Sequence, residues 1–397
     1  MDTFETALTL IRKDMFMCTS DIRHAYYSVP VAEESQVFLR FQWKGQIYQY
    51  TCIPNGYRDG PRLFTKLLKP VFAKLRAEGH ICTGFIDDSL LCGESYNDCL
   101  QTVHVSYNLL EKLGFFLNEE KSDYIPSKKV IYLGFVIDSD LMLVTLPQEK
   151  QDHIKEICRS LKNSHKVTIR EVARVIGVLV ASFPAVDYGK LYYRAMEKQK
   201  IQALKSNYGN FEAEMIITLE MKHDLQWWID NIDSQSRVID RGNPSVEIQT
   251  DSSLSGWGVY YQGEKFGGRW TSEEKKFHIN VLELIAILFA LQALVEKLKN
   301  QHVKILSDSS TAVSYINNMG GIRSDSCNKV SRDIWEYCMS KNIWLTCAHI
   351  PGLQNEADLP SRQFKDNIEW ALQTNIFEKI CCIWQKPVVD LFCIKVK

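Results

Sequence analysis

Residues 279–298 read INVLELIAILFALQALVEKL. Apolar side chains recur at helical spacing over a length that suits a long amphipathic helix and not a strand. Glu283 interrupts the pattern, with Val281 and Leu282 before it and Leu284 and Ile285 after it. A carboxylate in such a run must be paired, protonated or metal-bound, because an isolated charge among apolar side chains is strongly disfavoured. Upstream, VEIQTDSS (246–253) reads as a strand carrying Asp251 near its end. GWGVYYQG (256–263) and KFGGRW (265–270) read as a hairpin. Downstream, HVKILSD (302–308) is a strand ending in Asp308, and IWLTCAHIP (343–351) is a further strand. The order β-β-α-β-α-β predicts an α/β domain over 246–362.

Outward from that domain, SQSRVIDRGNPS (234–245) is polar with Gly and Pro and marks a boundary. Residues 208–232 read as helix ending in Trp227–Trp228, and 147–205 also look helical. There, Thr168 followed three positions on by Glu171 forms a capping-box pattern. Residues 1–145 mix short strands and helices. KGQIYQYTCI (44–53) alternates like a strand, and VIYLGFVID (130–138) and MLVTL (142–146) are apolar strands split by turns. Leu63, Leu67, Leu68, Val71, Phe72 and Leu75 recur at helical spacing, with Pro70 expected to kink that helix. Residues 363–397 read as a weakly organised tail.

Bulk properties narrow the class. The chain has 397 residues, enough for two to four domains. A net charge of −1 does not mark a nucleic-acid binder, yet Val144–Asn207 holds 12 Lys and Arg against 6 Asp and Glu. Such a stretch suits either a phosphate backbone or solvated helix faces. The 12 Cys contain no pair spaced for zinc, and scattered Cys fit a reducing compartment. The N-terminus is too charged for a signal sequence, and no apolar run approaches the ~20 residues that span a bilayer. The expectation is a soluble intracellular protein, cytoplasmic or nuclear, with no membrane partner. The sequence carries no signal for its oligomeric state.

The acidic residues suggest chemistry. Two-metal phosphodiester hydrolysis needs several carboxylates around ions about 3.5–4 Å apart. Mg²⁺ takes oxygen ligands, so aspartates at strand ends and a glutamate on a helix suit it. Taken singly, an Asp at a strand end is more often a turn residue.

In order and spacing, TDSSLSGWG, HINVLELIA, SDSSTAVSYIN and HIPGLQNEADLPSR resemble the ribonuclease H domains of retroelement reverse transcriptases. The resemblance covers about 246–362. It implies that Asp251, Glu283, Asp308 and Asp358 bind two Mg²⁺ (or Mn²⁺) ions and that His349 assists proton transfer or product release. Ser253, Asn280 and Asn355 would touch an RNA–DNA hybrid or orient the site. One departure stands out: NEAD has three steps from Asn355 to Asp358, where the family usually has four. On a helix that would rotate the last carboxylate by about 100°.

The first half carries a second resemblance. SDIRHAYYSVPV (20–31) and FIDD (85–88, with Phe for the usual Tyr) resemble reverse transcriptase segments. They imply Asp21 and Asp87 as ligands of two metal ions, Asp88 as nearby support, and Tyr26 as the aromatic that excludes a ribose 2′-hydroxyl. In-line nucleotidyl transfer needs carboxylates of this kind, because charge builds on both entering and leaving oxygens. Lys121 would assist pyrophosphate departure, and Leu133, Gly134 and Phe135 resemble the hairpin that grips a primer end. Asn55 and Gly56 fall in PNGYRDGP (54–61), beside the expected nucleotide site. There Asp59 adds a carboxylate that Arg58 would have to neutralise.

IPNGYRDGPRLFTKLLKPVFAKL, GHICTGFIDDS, IREVARVIGVLVASFPAVDYGKLYYRAMEK, GGRW and the tail's VVDLF (388–392) most resemble DIRS-like retrotransposons. The resemblance implies an α+β multidomain chain. A truncated ferredoxin-like palm with partial fingers would occupy 1–146, a helical thumb 147–206 and a connection 207–245. The ribonuclease H domain and the tail, 363–397, would follow. The implied activity is RNA-directed DNA synthesis with hybrid cleavage. Its partners would be an RNA template, a DNA primer, an RNA–DNA hybrid and deoxynucleoside triphosphates. Two narrower readings stand beside it: a ribonuclease H alone, its fingers being short, and a non-enzymatic nucleic-acid-binding relic.

Overall fold

The structure, a computed structural model, describes residues 2–364 and 374–384. The chain opens with α1 (Phe4–Leu10), β1 (Phe16–Asp21), α2 (Glu33–Gln36), β2 (Arg40–Trp43), β3 (Gln46–Gln49), α3 (Gly60–Ala77), β4 (Ile81–Phe85), β5 (Asp88–Gly93) and α4 (Tyr96–Lys112). Four short strands follow: β6 (Asp123–Ser127), β7 (Lys129–Tyr132), β8 (Phe135–Asp138) and β9 (Leu143–Thr145). Next come α5 (Gln148–Asn163), β10 (Lys166–Thr168), α6 (Ile169–Ser182), α7 (Arg194–Ser206), β11 (Glu214–Ile216), α8 (Leu219–Asn231) and β12 (Arg237–Val238). The remainder runs β13 (Val246–Ser252), β14 (Gly256–Tyr261), β15 (Glu264–Arg269), α9 (Ile279–Ala293), α10 (Val295–Leu298), β16 (His302–Ser307), α11 (Ser310–Asn317), α12 (Asp325–Ser340), β17 (Trp344–His349), α13 (Asp358–Arg362) and α14 (Thr374–Trp384). These form two compact units: Met1–Lys155 with Pro184–Asp187 and Asn231–Asp240, and the rest.

In the first unit, β4-β5-β1-β6 form one sheet and β12-β9-β8-β7 another. Helices α3 and α4 cover the first sheet. Phe64, Leu68, Phe72 and Leu75 of α3 meet Cys99, Val103 and Leu110 of α4 over Cys18, Cys82 and Leu91 of the strands. Each large side chain fully buried here contributes about 1.5–3 kcal/mol. Helix α3 continues through Pro70. Its apolar positions divide, because Leu63 and Leu67 stay exposed while their neighbours enter the core. Gly84 is required by close approach, since a Cβ there would lie 2.3 Å from the Phe72 ring.

In the second unit the five-stranded sheet runs β15-β14-β13-β16-β17. β13, β16 and β17 are parallel, and β14 and β15 antiparallel. Helix α9 is buried on most of its circumference, because β13 and β14 flank one side and α12 the other. This explains its near-continuous apolar run, where the spacing suggests an amphipathic face. Thr168 and Glu171 form the expected reciprocal cap. The helix read over 208–232 is instead confined to Leu219–Asn231. Tyr208 and Gly209 take left-handed backbone that no helix admits, and Glu214–Ile216 pairs with β10. The tail, read as weakly organised, contains α14; VVDLF lies outside the described residues.

Asp224 on α8 is wholly buried and ion-paired with Arg332 of α12. The Ala195 N–H also donates to it, and Arg332 donates to the Leu191 carbonyl. Burial outweighs the guanidinium and holds the Asp224 carboxyl above the usual range. Arg332→Met leaves that carboxylate uncompensated and is expected to cost about 3–5 kcal/mol. Asp224→Asn in the same chain should recover part of it, as read by urea unfolding.

Two candidate carboxylate centres

In the first unit, β1 ends on Asp21, and the β4–β5 hairpin turns through Ile86 and Asp87. The pairing register sets Asp21 opposite Asp88. Ile86 has φ +57, a conformation β-branched residues rarely adopt. Its strain is held by the surrounding ladder and by the Ile22 N–H, which donates to the Asp87 carbonyl at 3.0 Å. A cleft of about 680 Å³ is lined by Asp21, Asp87, Asp88 and Lys121, and by Leu133, Gly134 and Phe135 from the β7–β8 hairpin. Burial, then the neighbouring Asp87 and Asp21, push the Asp88 carboxyl up to about 6. Burial raises Asp87 as well, with Asp21 adding to it and Lys121 opposing. Crowded acids of this kind accept a cation readily, since like charges penalise joint ionisation.

Tyr26 packs edge-on against Phe64, and burial followed by Asp87 raises its hydroxyl. Asn55 and Gly56 (φ +88) lie in the loop before α3 and do not line this cleft. Arg58 and Asp59 in that loop are paired at 3.5 Å.

In the second unit, Asp251, Glu283 and Asp308 each present a carboxylate oxygen within 4.8 Å of the others. Two sit at the C-terminal ends of parallel strands, the end of an open α/β sheet where ligands bind. Glu283 approaches from α9, one helical turn from its N-terminus. Its Oε2 is buried without a partner. Burial first, then Asp251 and Asp308, push its carboxyl up to about 9. Asp251 is raised by burial, with Asp308 and Asp358 contributing and Ser361 opposing.

Asp358 is not within that group of three. It opens the short helix α13 and pairs with Arg362 at 2.8 Å. His349 closes β17, in register with Ser307, and is exposed. Asn355 is buried, its amide donating to the Thr250 carbonyl and accepting from the Ala357 N–H. Ser253 Oγ is engaged with the Gly256 and Ser361 backbones. Asn280 lies in the first turn of α9, its N–H donating to His278 Nδ1. Sequence reading missed Ser361, whose buried hydroxyl donates to Asp251 Oδ2 at 2.5 Å. Its signal was the one-turn spacing from Asp358.

Residues 2–137 match the family model described as "Reverse transcriptase (RNA-dependent DNA polymerase)". The "Enzymatic polyprotein" of cauliflower mosaic virus (strain D/H) is 24% identical over 377 residues, covering 90% of this chain and 52% of that protein. That of figwort mosaic virus (strain DxS) is 22% identical, covering 92% and 53%. The chain thus spans about half the length of the curated relatives it matches. A foamy viral protease–reverse transcriptase solved with double-stranded DNA has a TM-score of 0.53 at 16% identity, covering 88% of this chain and 60% of that one. Its counterpart with an RNA/DNA hybrid has 0.51 at 17%, covering 92% and 48%. The fold is therefore reverse transcriptase-like. Over residues 2–137 the chain is similar to reverse transcriptase domains, and over most of its length to viral enzymatic polyproteins.

No helix among the described residues is long and apolar enough to cross a membrane.

Proposed function

We propose that the chain is an RNA-directed DNA polymerase that also cleaves RNA in RNA–DNA hybrids, of retroelement origin and most like the DIRS type. The observation that carries this reading is a separate carboxylate centre in each compact unit: Asp21 with Asp87 and Asp88, and Asp251 with Glu283 and Asp308. The orphaned, buried Oε2 of Glu283, facing two further carboxylates, fits a divalent cation, which would satisfy it in ionised form. Two Mg²⁺ or Mn²⁺ ions per centre would supply Lewis acidity and an activated oxygen nucleophile.

The protein's own groups do the positioning. Asp21 and Asp87 would hold the nucleotide-transfer centre, with Asp88 as support and Lys121 facing the departing pyrophosphate. Tyr26, with Asn55 and Gly56, would bound the deoxynucleotide, and Gly134 the primer end. In the second centre Asp358 would complete the ligand set, drawn in when the hybrid competes for Arg362. His349 would carry the proton of the leaving group, and Ser253, Asn280 and Asn355 would touch the hybrid or orient its site. The two foamy viral structures have double-stranded DNA and RNA/DNA hybrid as their bound nucleic acids. Those are the partners proposed here, with an RNA template, a DNA primer and deoxynucleoside triphosphates.

The test is a pair of assays on one preparation with Mg²⁺: extension of a DNA primer on RNA, and cleavage of a labelled hybrid. Asp21→Asn should silence extension and leave cleavage, and Asp251→Asn should do the reverse. A wild-type chain active only on the hybrid would reduce the reading to a ribonuclease H. Inactivity in both assays would sink it.

A further inference from the structure

Lys150 is the third residue of α5, in the first turn, where the helix dipole disfavours a cation. It is nevertheless tied down across the chain. Its Nζ donates to the Gly134 carbonyl at 2.8 Å and lies 5.4 Å from the centroid of the Phe135 ring. The turn it grips holds Leu133 in the strained left-handed region at φ +47, followed by Gly134 at φ +77, which glycine adopts freely. A Cβ at Gly134 would lie 2.2 Å from Nζ, so a side chain there would displace the lysine from its present seat. On the other side, Phe4 of α1 packs against Phe135 with ring centroids 4.6 Å apart. The same turn supplies Leu133, Gly134 and Phe135 to the wall of the cleft that holds Asp21, Asp87 and Asp88.

We infer that Lys150 is a positioning residue for nucleotide transfer: it clamps the Leu133–Gly134 turn so that a primer end resting there meets the carboxylates in register. This rests on the polymerase reading above. An exposed lysine beside a nucleic-acid cleft is more simply a phosphate contact, and the two roles differ in what they move. A phosphate contact sets affinity and its salt dependence. A clamp sets alignment, and small misalignments of reacting atoms lower turnover by up to about 10²-fold.

The test compares Lys150→Met and Lys150→Arg with the wild type on a DNA-primed RNA template. In Lys150→Met, kcat should fall about tenfold or more. The primer–template Kd should stay within about twofold and the slope of log Kd against log salt should be unchanged. Arginine can donate to the carbonyl and stack on Phe135, so Lys150→Arg should recover most of the turnover. Amide hydrogen exchange at residues 132–136 should quicken in the methionine variant and not in the arginine variant. A weaker Kd with a shallower salt slope and unchanged kcat would make Lys150 a phosphate contact and overturn the clamp. So would unchanged exchange with unchanged kcat. If the wild type extends no primer, the polymerase reading fails and this role falls with it.

Discussion

Glu283→Gln is expected to abolish hybrid cleavage, by about 10³-fold or more, while raising the melting temperature of the metal-free chain. The activity loss follows from removing a charged oxygen where metal-borne stabilisation is worth several kcal/mol. The stability gain follows from linkage. Between the ordinary glutamate value of 4.5 and about 9, the folded chain holds a proton that the unfolded chain has released. Stability therefore falls as pH rises through that window. Glutamine carries no such proton, so at pH 7 the variant gains on the order of 3 kcal/mol. Melting curves at pH 6 and 8.5 check this: the wild type should lose stability between them and the variant should lose less. Saturating Mg²⁺ should narrow the gap, because an ion bound to the ionised carboxylate favours the folded wild type. Equal melting temperatures at pH 8.5 without metal, or hybrid cleavage that survives the substitution, would remove Glu283 from the centre.

Asp87→Asn should lower primer extension by about 10³-fold and leave hybrid cleavage within about twofold of the wild type, since Asp251, Glu283 and Asp308 are untouched. It should also alter Asp88. Burial is the main cause of that carboxyl's rise to about 6, but Asp87 is the next. Removing the Asp87 charge should lower the Asp88 value, which carbon-13 NMR of the labelled carboxyl would follow. Asp88→Asn should be milder, because Asp88 lies within the β5 strand opposite Asp21, whereas Asp87 occupies the turn. Extension that persists in Asp87→Asn would take the turn out of the mechanism.

Much of this was legible in the sequence, and for physical reasons. Glu283 declares itself because a carboxylate between valine, leucine and isoleucine has no ordinary place to go. Asp251 and Asp308 follow because each terminates an apolar strand, and parallel strands bring their ends to one edge. The three-residue step from Asn355 to Asp358 was readable as a departure, and the structure leaves Asp358 with Arg362. Pairings between distant segments were not legible. Asp224 sits in MKHDLQWW, where an aspartate looks like the polar side of a helix, and nothing local points to Arg332. Lys150 likewise reads as a solvated lysine until the turn at Gly134 is folded against it. The break at Tyr208–Gly209 was not legible because Glu214–Ile216 is held out of the helix by pairing with the distant β10, which nothing local signals.

The Asp224–Arg332 pair bears on how this polypeptide can be divided. The polar, Gly- and Pro-containing stretch before Val246 invites a cut there, giving the 246–362 segment to be expressed alone or transplanted. That segment would keep Arg332 and lose the carboxylate, and would also leave Asp325 without Lys198. A cut placed before Gln148 keeps both pairs together and leaves α5 whole. The 246–362 segment and its helical neighbours would then behave as one piece, and recombination breakpoints would be tolerated upstream of them more readily than between them.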